Sequence, residues 1–217
     1  MFGHMMSSVT KAGDYSAAEL SLVSHLLPLI VATIDDRSWR VRWTAASKFA
    51  DIISAYGKLP GVMDSLIPAY EKLLQDPEAE VRTAATFNLA EVAKCVAMVP
   101  PPPTGRTNES EPTSTTTRIS VAERLVKRVT SLTEDDSEHV RAALAMVATD
   151  LAPVLGKAAT ITHLVPPVLL LLRDAASEVR LNLISSLSAL NEVIGVDLLS
   201  QSLLPAILDL AQDGKWR

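Results

Sequence analysis

The sequence predicts an all-α fold, an α-solenoid of stacked antiparallel helix pairs, and three observations predict it. The first is a pattern in which aspartate follows proline by eight residues, at Pro28–Asp36, Pro68–Asp76, Pro166–Asp174 and Pro205–Asp213. The second is a Val-Arg pair five and six residues after the first three of these aspartates. The third is the composition, 48% apolar and 4% aromatic with only 8 glycines, which favours packed helices over a turn-rich β protein.

The spacing of these patterns gives the size of the repeat. A fifth copy has Asp135 and Val140-Arg141, with Lys127 in place of the proline. The arginines at 42, 82, 141 and 180 are therefore 40, 59 and 39 residues apart. Self-similarity near forty residues is typical of solenoids built from helix pairs. We predict about four complete repeats and the first helix of a fifth.

Each repeat is predicted to contain two helices and a short turn. In the first repeat, apolar residues at helical spacing run from Leu20 to Ile34, followed by the turn 35–38 and a second helix from Trp39 to Gly57. Glycines lie sixteen residues after the valine of three repeats, where a left-handed residue ends a helix. These glycines are Gly57, Gly156 and Gly195, with Ala97 at the same place in the second repeat.

The aspartate and arginine of the pattern have a predicted mechanical role. The aspartate precedes the second helix, where its carboxylate can accept from free backbone N–H groups, and Pro77 is expected in the first turn of its helix. The arginine, six residues later, can reach the aspartate of the next repeat, which predicts a ladder of ion pairs. The prolines of the pattern fall inside first helices and are expected to bend them.

Composition divides the chain into four segments. We predict a tag-like, disordered N-terminus at 1–18, repeats one and two at 19–99, a disordered insertion at 100–119, and the remaining repeats at 120–217. The insertion has five prolines and six threonines, and it accounts for the long interval of 59 residues. Pro100–Pro103 could also be a polyproline ligand, although a solvated linker is the favoured interpretation.

Several function classes are disfavoured by the residues. The formal net charge is −5 and the basic residues are spread out, which argues against a nucleic-acid partner. The longest apolar run, Leu164–Leu172, has nine residues and two prolines, too few for a membrane span. The single cysteine, Cys95, is interpreted as a buried structural thiol. No catalytic residue, cofactor or metal site is predicted, since only Glu138-His139 resembles the His-Glu pairs of iron-binding repeat enzymes.

Two Trp-Arg pairs are the strongest candidates for binding. Trp39-Arg40 and Trp216-Arg217 occupy the same position in the first and fifth repeats, three and four residues after the aspartate. Both residue types gain much from desolvation by a partner and are frequent in interface hot spots. The alternative is that each tryptophan packs against the neighbouring turn. Trp43 lies on the helix and is interpreted as core.

These residues resemble a known family. The Pro…Asp…Val-Arg unit is similar to that of HEAT repeats, and more narrowly to the scaffolding A subunits of protein phosphatase 2A. The likeness is strongest over residues 178–217, which include NEVIG and LSQSLLPAI, and it extends to SWRVR at 38–42, EAEVR at 78–82 and LAPVLGK at 151–157. The insertion departs from the family pattern. The resemblance implies the middle part of a longer horseshoe.

The resemblance also implies a function. Members of this family are non-catalytic scaffolds whose turns hold the catalytic subunit of a serine/threonine phosphatase together with its regulatory (B-type) subunit. By position, Ser38, Trp39 and Arg40 resemble the regulatory-subunit edge, and Trp216 and Arg217 resemble the first turn that contacts the catalytic subunit. Further residues on the same predicted edge are Glu78, Glu138, Ser177 and Glu178. The alternative is a tubulin-binding HEAT array, and the expected location is cytoplasmic, with the nucleus as an alternative.

Overall fold

The computed structural model describes residues 17–57, 59, 62–98, 125, 127–197, 200, 201, 203 and 208. The described residues are predominantly helical and contain no strand. The chain divides into two compact units, residues 1–111 and 112–217. The predictions for the N-terminus at 1–18 and the insertion at 100–119 therefore lie almost entirely outside the described residues.

The first unit contains two helix pairs, and the second helix of each pair is split into two consecutive helices. The helices are α1 (Ala17–Ile34), α2 (Trp39–Ser47), α3 (Phe49–Tyr56), α4 (Val62–Leu73), α5 (Ala79–Phe87) and α6 (Leu89–Met98). First helices α1 and α4 pack together, as do second helices α2 and α5, and α3 packs on α6. Phe49 and Tyr70 lie at the centre of this unit, both fully buried, with ring centroids 4.9 Å apart. The hydroxyl of Tyr70 donates to the carbonyl of Ala85 at 2.6 Å.

The second unit repeats this arrangement. Residues 127–132 are helical, and they are followed by α7 (Glu138–Val147), a 3₁₀ turn (Ala148–Leu151), α8 (Ala152–Ala159), a π-helical segment (Thr160–Leu164), α9 (Val165–Leu172) and α10 (Ser177–Ile194). Helices α7 and α10 pack side by side as the second helices of successive repeats. Stacked helix pairs are the predicted architecture, and the structure confirms it.

The second helix of the first repeat differs from the prediction because it breaks at Lys48 (φ −106°, ψ 8°). The Lys48 N–H is shared between the carbonyls of Thr44 and Ala45. The side-chain amide of Asn88 donates to the carbonyls of Ala46 at 3.0 Å and Ser47 at 3.4 Å. A side chain that inserts into the helical hydrogen-bond ladder is a recognised cause of kinks. The side-chain amide of Asn88 in the second repeat thus bonds the backbone carbonyls next to the break in the first repeat.

The positive φ expected at three glycines is present at two of them, with an extended ψ in both (169° at Gly156 and 156° at Gly195). Gly156 (φ 74°) and Gly195 (φ 86°) have positive φ, where L side chains are strained. Gly57 has ordinary right-handed angles (φ −63°, ψ −18°), so the prediction of a left-handed cap there is wrong. Its small size is required for another reason: a Cβ at Gly57 would lie 2.6 Å from the carbonyl oxygen of Ile53.

The prolines also fall in two classes. Pro28 and Pro68 lie inside α1 and α4, as predicted. Pro166 instead lies in the first turn of α9, directly after the π-helical segment. Pro77 precedes α5 by two residues and does not lie in its first turn, because the helix begins at Ala79 after the N-cap Glu78.

By length and composition, the helical stretch Glu138–Leu172 could span a membrane. The prediction from the sequence considered only uninterrupted apolar runs and did not identify this stretch. Its course is interrupted at Gly156, whose angles (φ 74°, ψ 169°) are not helical. Helices on both sides of Gly156 pack against α10. The stretch is therefore a series of helices in a packed unit.

Candidate functional site

The turn between the two helices has the same geometry in each described repeat of this chain. In each turn, Oδ1 of the pattern aspartate accepts a hydrogen bond from the backbone N–H two residues later. The four bonds join Asp36 to Ser38 (2.7 Å), Asp76 to Glu78 (3.0 Å), Asp135 to Ser137 (2.9 Å) and Asp174 to Ala176 (2.9 Å). This is an Asx turn, which fixes the backbone immediately before the helix. The predicted carboxylate role is confirmed, with the acceptor placed two residues before the N-cap.

The pattern arginine stabilises its own turn, a contact that the sequence reasoning missed. In each repeat its Nη1 donates to the backbone carbonyl of the aspartate six residues earlier. These bonds join Arg42 to Asp36 (2.9 Å), Arg82 to Asp76 (2.8 Å), Arg141 to Asp135 (2.6 Å) and Arg180 to Asp174 (2.7 Å). The guanidinium therefore closes the turn by a bond to the main chain, independently of any side-chain partner.

The same guanidinium also reaches the next repeat. Arg42 donates from Nε and Nη2 to the two carboxylate oxygens of Asp76, at 2.6 and 2.9 Å. Arg141 makes the same pair of bonds to Asp174, at 2.6 and 3.1 Å. Such two-bond arrangements are the strongest form of this ion pair. The predicted ladder between successive repeats is confirmed within each unit.

Burial and charge act in opposite directions on Asp174. Burial alone would raise the pKa of its carboxyl, but hydrogen bonds from Arg141 and the Ala176 N–H, with the charges of Arg141 and Arg180, lower that pKa below its ordinary value. The bond to Asp174 in turn raises the pKa of Arg141. These partners therefore hold the Asp174 carboxyl in its ionised form. The carboxylate accepts hydrogen bonds that stabilise the turn.

The described candidate binding residues all lie at the N-termini of second helices. Ser38 and Glu78 are the N-caps of α2 and α5, Trp39 and Glu138 are the first residues of α2 and α7, and Ser177 and Glu178 begin α10. Trp39 is half-buried, and Arg40 and the remaining described candidates are exposed. Trp216 and Arg217 lie outside the described residues. Within each unit, the structure thus brings the predicted residues to equivalent positions at adjacent turns.

Trp39 and Arg40 form a stacked pair on α2. The guanidinium carbon of Arg40 lies 4.6 Å from the centroid of the Trp39 ring, in the geometry of a cation–π contact. Trp43, one turn later, is 44% exposed, so its interpretation as core is wrong. The three side chains, with Thr44 and Glu80, line an open groove between α2 and α5, which we call the tryptophan groove.

Sequence reasoning missed Trp43 and Glu80 as parts of this groove. Periodicity places Trp43 on a helix but does not say which flank a neighbouring helix covers. Glu80 has the same position relative to Arg82 as Arg40 has relative to Arg42, two residues before it. That register was the available signal, because equivalent residues of successive repeats lie side by side.

The structure also bears on the interpretation of Cys95. Cys95 is partly exposed, which differs from the predicted buried thiol. Across the parts of the chain that the structure describes, no group of three His, Cys, Asp or Glu side chains is placed to hold a metal ion.

Comparisons with known proteins agree with this architecture. A family profile described as "PPP2R1A-like HEAT repeat" matches residues 61–156. A designed armadillo repeat protein, solved in complex with the peptide (KR)4, superimposes with a TM-score of 0.55 at 22% identity, covering 98% of this chain and 84% of that one. This structural likeness supports the repeat fold alone.

Two curated relatives carry the same name, the beta isoform of the 65 kDa regulatory A subunit of serine/threonine-protein phosphatase 2A. The protein from Homo sapiens is 40% identical over 147 residues, 67% of this chain and 22% of that protein, and the protein from Mus musculus is 43% identical over 67 residues, 31% and 11%. The chain therefore spans less than a quarter of the length of these relatives. Repeat pattern, turn geometry and sequence identity agree that the chain belongs to the PPP2R1A-like HEAT-repeat family.

Proposed function

We propose that the chain is a non-catalytic scaffold that holds the catalytic and regulatory subunits of a protein phosphatase 2A-like serine/threonine phosphatase. Its relatives are named as the regulatory A subunit of such a phosphatase. The observation that carries the proposal is the Trp39-Arg40 stack, which lies at the N-terminus of α2, directly after a turn that is built like those of the other described repeats. Tryptophan and arginine are the residue types most enriched in binding hot spots.

A scaffold of this kind adds no chemical step. It raises the concentration of the enzyme and its targeting subunit for each other, because the second binding event becomes intramolecular. The turn carboxylates support this role. Asp36, Asp76, Asp135 and Asp174 each bond a backbone N–H of their own turn, and Asp76 and Asp174 also bond an arginine. These carboxylates stabilise the turns at which the partners are proposed to bind.

The two partners are proposed to use different turns. Ser38, Trp39, Arg40 and Glu78 contact the regulatory subunit, and Trp216 and Arg217 contact the catalytic subunit. The described residues Glu138, Ser177 and Glu178 extend the contact edge within the second unit. This assignment follows the resemblance of the sequence to the family and the shared position of these residues in their repeats.

The regulatory-subunit contact is tested by titrating the immobilised chain with a purified B-type regulatory subunit. Trp39→Ala should weaken binding by about 2 kcal/mol, roughly 30-fold in Kd, because it removes the centre of the stacked pair. Leu29→Ala is the matched control, since Leu29 is 63% exposed on α1 and lies outside the turns. Equal Kd values for the Trp39 variant and the wild type would contradict the assignment.

The catalytic-subunit contact needs a separate test. Arg217→Ala should weaken capture of a purified phosphatase catalytic subunit by the chain, and Arg37→Ala, on an exposed turn of the first repeat, should leave that capture unchanged. Capture by the Arg217→Ala variant that equals capture by the wild type would contradict the assignment of Arg217 to the catalytic-subunit contact.

A further inference from the structure

The tryptophan groove has an unusual distribution of charge. Its wall contains one cationic side chain, Arg40, and one anionic side chain, Glu80. Arg40 is stacked on Trp39. Glu80 is exposed, and no hydrogen bond or ion pair joins its carboxylate to any of the residues that the structure describes. The groove thus holds a carboxylate that is not neutralised, next to indole rings.

The other charged groups at these two turns are mostly engaged. Asp35 pairs with Lys72 and Asp76 with Arg42. Asp36 accepts from the Ser38 N–H. The charge of Glu78 acts on Arg42, whose pKa is raised first by its hydrogen bond to Asp76 and then by the charges of Asp76, Glu78 and Asp36. Glu80 is therefore the acidic group of the groove that is available to a ligand.

Trp43 supplies the second element of a cation site. Its side chain is 44% exposed in the groove, whereas the Trp39 ring is already covered on one side by Arg40. The face of an indole attracts a cation because of its quadrupole, and a nearby carboxylate attracts the same cation by charge. An aromatic surface with an available carboxylate is chemically complementary to a lysine or arginine side chain, whose aliphatic stem can lie on the ring.

We propose that Trp43 and Glu80 form a subsite for a lysine or arginine side chain of the docked regulatory subunit, beside the contact that Trp39 and Arg40 make. This inference rests on the proposed function for the identity of the partner. The stem of the basic side chain crosses the Trp43 ring and its charged end reaches the Glu80 carboxylate. The positive charge of Arg40, which is stacked on Trp39, would repel the basic side chain of the partner. The partner's charge is therefore favoured near Glu80 and disfavoured near Trp39.

The test has a direct arm that does not need the regulatory subunit. Two fluorescently labelled peptides differ only in having lysine or glutamine beside one leucine, and their binding is measured by anisotropy. The wild-type chain should bind the lysine peptide about tenfold more tightly than the glutamine peptide. Glu80→Gln and Trp43→Ala should each remove most of that preference. Asp64→Asn, which removes an exposed acid on α4 outside the groove, should retain it.

The second arm uses the purified regulatory subunit. Glu80→Gln should weaken its binding about tenfold, and Glu80→Lys should weaken it further, while Asp64→Asn binds as the wild type does. A wild-type chain that prefers the lysine peptide but does not bind the regulatory subunit would support the subsite and overturn the proposed function. Binding of both ligands that is unchanged by Glu80→Gln would overturn the subsite and leave the proposed function standing. Circular dichroism is the check that each variant is folded.

Discussion

Arg42 donates two hydrogen bonds to the carboxylate of Asp76, 34 residues away, while its Nη1 bonds the backbone carbonyl of Asp36 in its own turn. One guanidinium thus fixes the turn of the first repeat and its register against the second. Arg141 does the same for Asp135 and Asp174 in the second unit. These bonds join the turns that precede the second helices of adjacent repeats within each unit.

Removal of Arg42 should destabilise the first unit strongly. Arg42→Ala leaves the carboxylate of Asp76, only 6% exposed, without its ion-pair partner, and we expect a loss of about 3 kcal/mol in the free energy of unfolding. Urea unfolding measures it. The control is Lys48→Gln, which breaks a pair to Asp51 in which both side chains are more than 60% exposed, and which should cost less than about 0.5 kcal/mol. Similar losses in the two variants would show that the ladder contributes no more than an ordinary surface pair.

The stability of the second unit should fall in acid because of Asp174. The folded-state pKa of this group is lowered, so in the range below the unfolded pKa of about 3.9 the unfolded chain binds more protons than the folded chain. The contribution of Asp174 is therefore fully present above about pH 4 and is lost as the pH falls through the folded-state pKa.

The variant Asp174→Asn isolates that contribution. At pH 7 it should reduce the free energy of unfolding by about 1 to 3 kcal/mol, and the difference from the wild type should shrink as the pH falls below about 4. Urea unfolding at a series of pH values measures the difference. A gap that stays constant down to about pH 2 would mean that ionisation of Asp174 does not stabilise the fold.

Asn88 should contribute to the first unit through the break between α2 and α3. Its amide donates to the carbonyls of Ala46, Ser47 and Ala84. Asn88→Ala should reduce the free energy of unfolding by about 1 to 2 kcal/mol, because part-buried carbonyls lose their donor. Asn88→Asp should cost more, since a carboxylate would face these oxygens. If Asn88→Asp is less stable than Asn88→Ala, the loss comes from the hydrogen bonds, because aspartate keeps nearly the same size as asparagine. If Asn88→Ala is the less stable variant, the result counts against this role.

Gly156 and Gly195 should resist substitution for a backbone reason. A Cβ at either position meets no atom within 4 Å, so any cost of Gly→Ala arises from the positive φ alone. We expect about 1 to 3 kcal/mol for Gly156→Ala and for Gly195→Ala by thermal or urea unfolding. Ser188→Ala on the exposed side of α10 serves as the control and should be near neutral. Neutral glycine variants would refute the strained backbone.

The repeat fold and the ladder could be predicted from sequence because both follow from one regular spacing. A period of about forty residues places Arg42 and Asp76 in adjacent repeats, where their opposite charges attract each other. The kink at Lys48 was not predictable in this way. At this break the Asn88 side chain of the next repeat bonds carbonyls that a continuous helix would have used internally, and no regular spacing indicates that contact.

The candidate site was predicted in part for a similar reason. The position of Trp39-Arg40 in its repeat follows from its distance to Asp36, so the equivalent residues of the other repeats can be identified from the sequence. The exposure of Trp43 depends on which side of α2 a neighbour covers. Val41 shows the same effect: it is 36% exposed, although Val81, Val140 and Val179 at its position are fully buried. Periodicity predicts the same burial for all four valines, and only packing separates them.

Hydrogen–deuterium exchange of the chain with a bound regulatory subunit tests the central claim most directly, because it shows which backbone segments the partner covers. The account predicts slower exchange at the N-termini of α2 and α5, residues 38–44 and 78–84, with the first helices α1 and α4 unchanged. Protection confined to α1 and α4, with exchange at those N-termini unaffected, would contradict docking on the turns.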